Sequence, residues 1–558
     1  MFPLLFRASL LAILALTVAA RVAVAQASIV PVTHLVYDWL QHQRVAGRLP
    51  TYQHELRPMS RATIAAHLAH LDSLGDRVPA GDRHVLRDFQ NEFVMARLLD
   101  NRLVTPGFLR GLPRTIGGAL RERREPALFA LVTPDSLLSG ALYATAGGGA
   151  LDLSSPDSAA YATTKGVRLY GNARFGLGWH YEFDNLWNRK SQLLLVQQER
   201  YHSDRLGLGV TSAFAFESYL SYRAPRWFEG YVGWGGSVIG PAITDPLVLR
   251  ADAPPQPGVR VQFGGPRLNL AWQHGTLRAP NVEDTTGTAL FPVYARSAAR
   301  RYFVAHRLTW MPHPRVSLAL NEQVIYANRE LEFAYLNPVV PMTFVQDRIG
   351  DRDNVMLGGD VVVRPWDGTE LIGAFLWDDR SAPNPDARSF GPFKKSALLG
   401  IEQQLPFGVR LGLGYTWTDP WVYTHWQRVV TYESLDRPLG PLIGPNSEEA
   451  AARLTTWWPL RTRIMTGYRR QRRGLDPPGA ATDISQCVGG NLLCGTLAKE
   501  SPRFQGADMH VIDRYEVEAW TEPVRGFPFF LLLRDSRVRQ GTQLQSSRFV
   551  HFGFRVGY

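Results

Sequence analysis

The feature that most constrains this chain is a period of two. From about residue 125 onward, apolar side chains alternate with polar or small ones. In "GVRLYGNARFGLGWHYEF", Val167, Leu169, Ala173, Phe175, Leu177, Trp179, Tyr181 and Phe183 hold odd positions, and Arg168, Tyr170, Asn172, Arg174, His180 and Glu182 hold even ones. In "FGVRLGLGYTWTD", Phe407, Val409, Leu411, Leu413, Tyr415 and Trp417 alternate with Gly408, Arg410, Gly412, Gly414, Thr416 and Thr418. Such segments are strands with one apolar face. The apolar faces carry Trp, Tyr and Phe toward strand ends, and the opposite faces carry Arg, His, Glu and Gly. The chain is rich in aromatics, with 15 Trp, 20 Tyr and 27 Phe. Trp and Tyr suit a membrane–water boundary, having an apolar body and a polar tip. The pattern is inside-out, polar within and apolar without. Beyond the first 25 residues the longest apolar run is "FPFFLLL", Phe527 to Leu533, well short of a helical span. A sheet in lipid must close, because an open edge leaves backbone groups unsatisfied. The fold class expected is therefore an all-β transmembrane protein, a closed antiparallel outer-membrane β-barrel. Two soluble β-domains are the competing reading. About 430 residues suit an even count of about 16 to 20 strands. The run at 167–183 exceeds what a bilayer requires, so either the strand projects or the run contains a turn.

The first 25 residues read as a cleaved signal peptide. Arg7 supplies the positive region, Ala8 to Ala20 the apolar one, and Ala23-Val24-Ala25 the cleavage site, leaving Gln26 as mature N-terminus. A retained membrane anchor is the alternative. Residues 26–110 then carry helical punctuation. "VTHLVYDWLQHQRVAG" places Leu35, Trp39 and Leu40 at helical spacing before Gly47. Ser60 is the expected N-cap of a second helix, with Ile64, Leu68 and Leu71 in one stripe and Gly75 as its stop. A third runs from Asp82 with Leu86, Phe89, Phe93 and Val94 on one side. Three short amphipathic helices bury little alone, so they are expected to dock as a plug on the barrel of residues 111–558. Cys487 and Cys494, the only cysteines, flank a short Gly-containing loop and read as a disulfide staple in an oxidising compartment, with two free thiols as the alternative. A metal site is disfavoured for want of ligands.

Net charge is +11. For an exported protein that argues for acidic polysaccharide, lipopolysaccharide phosphates or anionic solutes rather than nucleic acid. Catalytic patterns are missing from the sequence. "GWGGSVIG" fails the G-x-S-x-G spacing around Ser237, and "DRDN" (Asp351 to Asn354) lacks the remainder of a calcium loop. No catalytic residue and no cofactor is expected. One residue breaks the pattern: Glu322 shares its parity with Leu318, Leu320, Val324 and Tyr326. A charge on a lipid face is costly. Glu322 must lie near a rim, or a bulge flips the register, or the strand's larger face packs on protein, for which the N-terminal helices are the natural candidate.

The stretch "HRLTWMPHPRVSLALNEQVIYANRELEFAYLNPVVP", followed by Gln346, "DRDN" and "FLWDD", resembles the Wzi-type capsule assembly family of outer-membrane proteins. "GWGGSVIGPAITDPLVLRADAPP" and the helical stretch "VYDWLQHQRVAGRLP" are also similar to it. The resemblance implies an 18-stranded barrel closed at its periplasmic side by the helices, binding capsular or extracellular polysaccharide without catalysis. Glu322, Tyr326, Arg329, Asn337, Gln346, Asp353, Asn354, Asp378 and Asp379 match the family block, either binding polymer or holding plug and barrel together. A diffusion porin with an Arg-rich, anion-favouring lumen is the rival function. The C-terminal strand, with Val550, Phe552, Phe554, Val556 and Tyr558 toward lipid, is expected to close the barrel and to be read by the barrel-assembly machinery. A monomer surrounded by outer-membrane lipid and lipopolysaccharide is the expected state.

Overall fold

The computed structural model describes residues 26–93, 123, 127–133, 138–149, 161–189, 212–224, 227–278, 299–350, 352–380, 393–425, 427–435, 437–481, 484–493 and 502–557. The signal-peptide region, the expected boundary near residue 110, Val94, Cys494 and Tyr558 lie outside the described residues.

Eighteen strands, each antiparallel to the next, close into a barrel. They are β1 Leu138–Gly148, β2 Tyr161–Ala173, β3 Leu177–Arg189, β4 Ser212–Ala224, β5 Phe228–Gly235 and β6 Gln256–Gly264. Next come β7 Leu268–Leu277, β8 Arg301–His313, β9 Val316–Ala327, β10 Asn354–Val363, β11 Thr369–Arg380 and β12 Phe393–Gln404. The last are β13 Val409–Thr418, β14 Ser447–Trp458, β15 Thr462–Leu475, β16 Asp508–Val524, β17 Phe527–Gln540 and β18 Gln543–Gly557. The seam is composite. Phe554 to Gly557 of β18 face Gly148 to Thr145 of β1, and the strand Phe129–Val132 covers the rest of that edge, facing Leu142 to Ser139.

Parity decides which side chain faces lipid. Leu220, Leu308, Leu320, Phe375, Leu399, Leu413, Phe552 and Phe554 are exposed, while Asn172, Asp184, Arg260, Asp360, Glu402 and Arg410 are buried within. Inward polar groups bond across strands: Arg307 donates to Asp360 at 2.6 and 2.9 Å and to Asn321 at 2.9 Å. The long run at 167–183 contains a turn, with β2 ending at Ala173, β3 beginning at Leu177 and Gly176 at φ +84° between them. Such short turns gather at one end, the periplasmic end in barrels of this kind.

Three helices fill that end: α1 Val36–Val45, α2 Arg61–Ser73 and α3 Ala80–Phe93. Ser60 caps α2 by accepting from the Thr63 amide at 3.3 Å. Trp39, Leu40, Ile64, Leu68, Leu71, Leu86, Phe89 and Phe93 form one core, and Trp457 of β14 completes it from the wall. No helix among the described residues is long and apolar enough to cross a membrane.

Candidate functional site

The plug is bonded to the wall around the ring. The Ser28 amide donates to Asn172 at 2.8 Å, Ser221 donates to the Ala27 carbonyl at 2.7 Å, and Ser60 donates to Glu229 at 2.7 Å. Farther round, Asn269 donates to Gln53 at 2.9 Å and Arg364 to the Pro50 carbonyl at 2.8 Å. Two charged latches carry the strongest contacts. Arg44 of α1 donates to Glu370 at 2.8 Å and holds Glu55 in a fork at 3.0 and 2.5 Å. Gln41 donates to Glu370 and Glu402 at 2.9 and 2.7 Å, and Arg410 of β13 donates to Asp38 at 2.5 Å. In the second latch Glu92 of α3 accepts from Arg461 at 2.5 Å and from Arg525 at 3.3 Å, while Arg123 forks Asp88 at 2.8 and 2.5 Å. Burial opposes ionisation of Glu55, but the Arg44 guanidinium outweighs it and holds the carboxyl down at about 2. Burial instead lowers His42 to about 4, against the pull of Asp82, so its ring is neutral.

Farther along the axis two long loops fold inward. Residues 236–255 bring Ile239, Ile243, Leu247, Val248 and Leu249 against Val422, Tyr423, Val430, Tyr432 and Leu439 of residues 419–446, and both pack on Phe303, Ile325, Met356, Leu376 and Leu398 of the wall. Tyr423 and Tyr432 donate to the Leu247 and Val248 carbonyls at 2.9 and 2.8 Å. Arg301 of β8 ties the second loop down through Glu433 at 2.5 Å and the Thr431 carbonyl at 2.7 Å. Ile243 enters a notch of small residues on β12 and β13. A Cβ added to Gly400 or Gly414 would lie 2.9 or 3.0 Å from Ile243 atoms. The residues 238–239 also pair with residues 56–57, joining loop and plug.

The family-block residues divide between the two faces of the wall. Asn354 and Asp378 point inward: Asn354 donates to the Val430 carbonyl at 3.0 Å, and Asp378 accepts from the Tyr423 amide. Both hold the second infolded loop. Glu322, Tyr326, Arg329, Gln346 and Asp353 belong to a different structure. Register through Glu322 is regular on both sides, opposite His306 and Leu357, so no bulge turns it. It faces outward, and the segment 331–349 with its helix α4 Met342–Ile349 lies over it, the Thr343 amide donating to Glu322 at 3.0 Å. Beneath the segment Trp272, Tyr302, Val304, Val324, Tyr326 and Val355 pack on Tyr335, Met342 and Val345. The larger face of β9 therefore packs on the β9–β10 loop, not on the N-terminal helices; the loop returns over its own strands and shields the carboxylate from lipid. Asp353 fastens this lap. It accepts from Arg329 at 2.8 and 2.6 Å and from Tyr335 at 2.8 Å, and its carbonyl accepts from Gln346 at 2.9 Å. Burial and the Asp353 charge raise the Tyr335 hydroxyl well above its ordinary value. Asn337 serves its own turn, accepting from the Val339 amide at 3.1 Å. Asp379 lies at the end of β11, where register shifts between Trp377 and Arg380. Cys487 is disulfide-bonded and packs on Trp421 and Ala480.

Sequence reasoning missed the plug latches. Their one signal is that Asp38, Gln41 and Arg44 recur every three residues opposite Trp39 and Leu40, a polar stripe on a helix too short to stand alone. A cavity of about 550 Å³ also remains between the plug and the seam wall, with Arg168, Tyr170, His180, Glu518, Trp520 and Arg555 among its lining.

No protein-family model and no curated protein matches the sequence. Among solved structures, the chain is similar to Wzi, an outer-membrane protein involved in group 1 capsule assembly in Escherichia coli and a carbohydrate-binding β-barrel. The TM-score is 0.57 and identity 12%, over 95% of this chain and 99% of that one. OprD of Pseudomonas aeruginosa gives a TM-score of 0.39 and 14% identity over 75% of this chain and 94% of that one. A BenF-like porin from Pseudomonas fluorescens gives 0.39 and 11% over 75% and 98%. The closed 18-stranded barrel and the match to Wzi along nearly the whole of both chains give this protein the Wzi fold, that of an outer-membrane β-barrel.

Proposed function

We propose that this protein binds capsular or other exported polysaccharide at the cell surface and attaches it there, without catalysis. The observation that carries this reading is the filling of the lumen by plug and infolded loops. A diffusion porin needs a continuous water path and unspent charge along it. Here five buried arginines within the barrel, Arg44, Arg301, Arg307, Arg410 and Arg461, are each engaged by a carboxylate. Polymer contact then falls to the outer end, where hydroxyl-rich chains meet polar loop groups and arginines. The fold shared with a carbohydrate-binding barrel supports the same reading. The leader of residues 1–25 would deliver the chain to the periplasm, and the barrel would stand as a monomer.

The test has two parts. Full-length protein in planar bilayers is expected to show no wide, steady channel, and the same protein is expected to retain the host's acidic polysaccharide on a glycan pull-down. Deleting the gene in the host is expected to release polymer into the medium while synthesis continues. An open channel, or unchanged surface polymer, refutes the reading.

A further inference from the structure

The outer wall over β14 to β18 changes character in a single step. Cross-strand register gives lipid-facing rows of Ala519, Leu531 and Phe552, then of Val517, Leu533 and Val550. The next row holds Tyr468, Tyr515, Asp535 and Arg548, and the one above it Arg470, Asp513 and Arg537. Arg472 and Arg539 follow on the same outward parity, across Val511. These arginines face away from the lumen and into solvent, with 75% of the Arg548 side chain and 51% of both Arg470 and Arg537 exposed. Carboxylates only partly offset them. Arg470 lies 3.7 Å from Asp513, Arg472 lies 2.7 Å from Glu448, and Arg537 and Arg548 share Asp535 at 3.2 and 3.5 Å.

Height locates the patch. A strand tilted about 40° climbs roughly 2.6 Å per residue, so the ~25 Å apolar band takes about ten residues. Counted from Phe527 at the short-turn end, that reaches the Asp535–Arg537 level. The arginines therefore sit where hydrocarbon gives way to headgroups, level with and above Tyr468 and Tyr515, whose rings lie 5.0 Å apart. A ligand for this surface must bring acyl chains for the lower rows and concentrated negative charge for the upper ones. Guanidinium forks suit phosphate oxygens in particular.

We propose that the outward face of β14 to β18 is a binding site for a phosphorylated glycolipid of the outer leaflet, its phosphates held by Arg470, Arg537 and Arg548 and its acyl chains lying along Leu531, Leu533, Val550 and Phe552. The site is independent of polymer binding and of the lumen. In the test, native mass spectrometry follows full-length protein in detergent mixed with lipid A carrying both phosphates, with the same lipid dephosphorylated, or with inorganic phosphate as competitor. Wild type is expected to retain the phosphorylated lipid, and R470Q/R537Q/R548Q to lose at least about tenfold of that retention, three weakened ionic contacts compounding. Heat-modifiable gel mobility verifies that the variant is folded. Asp535→Asn removes the competing carboxylate and is expected to raise retention about twofold or more, which keeps the test decisive if the triple variant fails to fold. Equal retention by the variants and wild type, equal retention of the dephosphorylated lipid, or displacement by inorganic phosphate at the lipid's own concentration each overturns the proposal.

Discussion

Arg44 is the residue on which the plug turns. Its guanidinium is buried and divided between Glu55 of its own domain and Glu370 of the wall. A buried charge is costly unless paired, so removing one partner leaves the others stranded. Arg44→Met is expected to weaken docking of the plug by about 3–5 kcal/mol. The check is the denaturant midpoint of the plug, followed through the fluorescence of Trp39, which is buried in its core. The same site fixes a pH dependence. Glu55 holds a carboxyl at about 2 against an ordinary 4.5, so its contribution is complete above 4.5 and is lost as pH falls toward 2. His42 is depressed to about 4 from 6.5, so its burial as a neutral ring is favourable above 6.5 and increasingly opposed from there down to 4. Plug stability is therefore expected to decline from pH 6.5 downward, with His42→Gln flattening the upper part of the decline. An unchanged midpoint between pH 7 and 4 would refute it.

At the scale of elements, the lap over β7 to β10 shows how far sequence patterns reach. Period two assigned the strands and their lipid face because each outward position of a barrel wall meets lipid. Glu322 broke the rule, and that anomaly marked the place where the wall is covered by protein. What covers it was not legible, because a loop's return over its own strands rests on contacts distant in sequence, such as Trp272 donating to the Tyr335 carbonyl at 3.2 Å. Glycines at 412 and 414 were legible as a small, inward face, but nothing local pointed to Ile243 as the side chain that fills the notch. The plug helices were readable from caps and stripes, and their latches were not, since a polar helix face usually meets water. The lap yields its own prediction. Tyr326→Ala removes the stacking on Tyr302, the Arg329 cation–π contact at 4.8 Å and the His274 hydrogen bond at 2.8 Å, leaving a cavity under the segment. A loss of about 3–5 kcal/mol is typical of aromatic truncation in a core. Protease added to intact outer membranes is expected to cut within 328–353 in the variant and to spare wild type; equal cleavage would show that Tyr326 does not anchor the segment.

For the whole molecule, the lumen is closed twice by different parts of the chain, and the two closures are separable. The helical plug occupies the short-turn end and is held chiefly by charge, whereas residues 236–255 and 419–446 are held by an apolar cluster on the inner wall. Among the described residues, the pairing of residues 238–239 with 56–57, the Gly240 amide bond to the Glu55 carbonyl at 2.9 Å and Leu56, which joins the loops' apolar cluster, tie one closure to the other. Deleting residues 26–93 is therefore expected to raise bilayer conductance only modestly, because the apolar closure persists. Gly414→Leu in that background drives a side chain into the space of Ile243 and is expected to expel the loop, giving a further and larger step in conductance. The full-length Gly414→Leu protein is expected to stay closed, since the plug alone still fills the other end. If the plug deletion by itself gives the full porin-like conductance, the infolded loops do not seal the barrel, and the lumen is a gated passage with the helices as its only door.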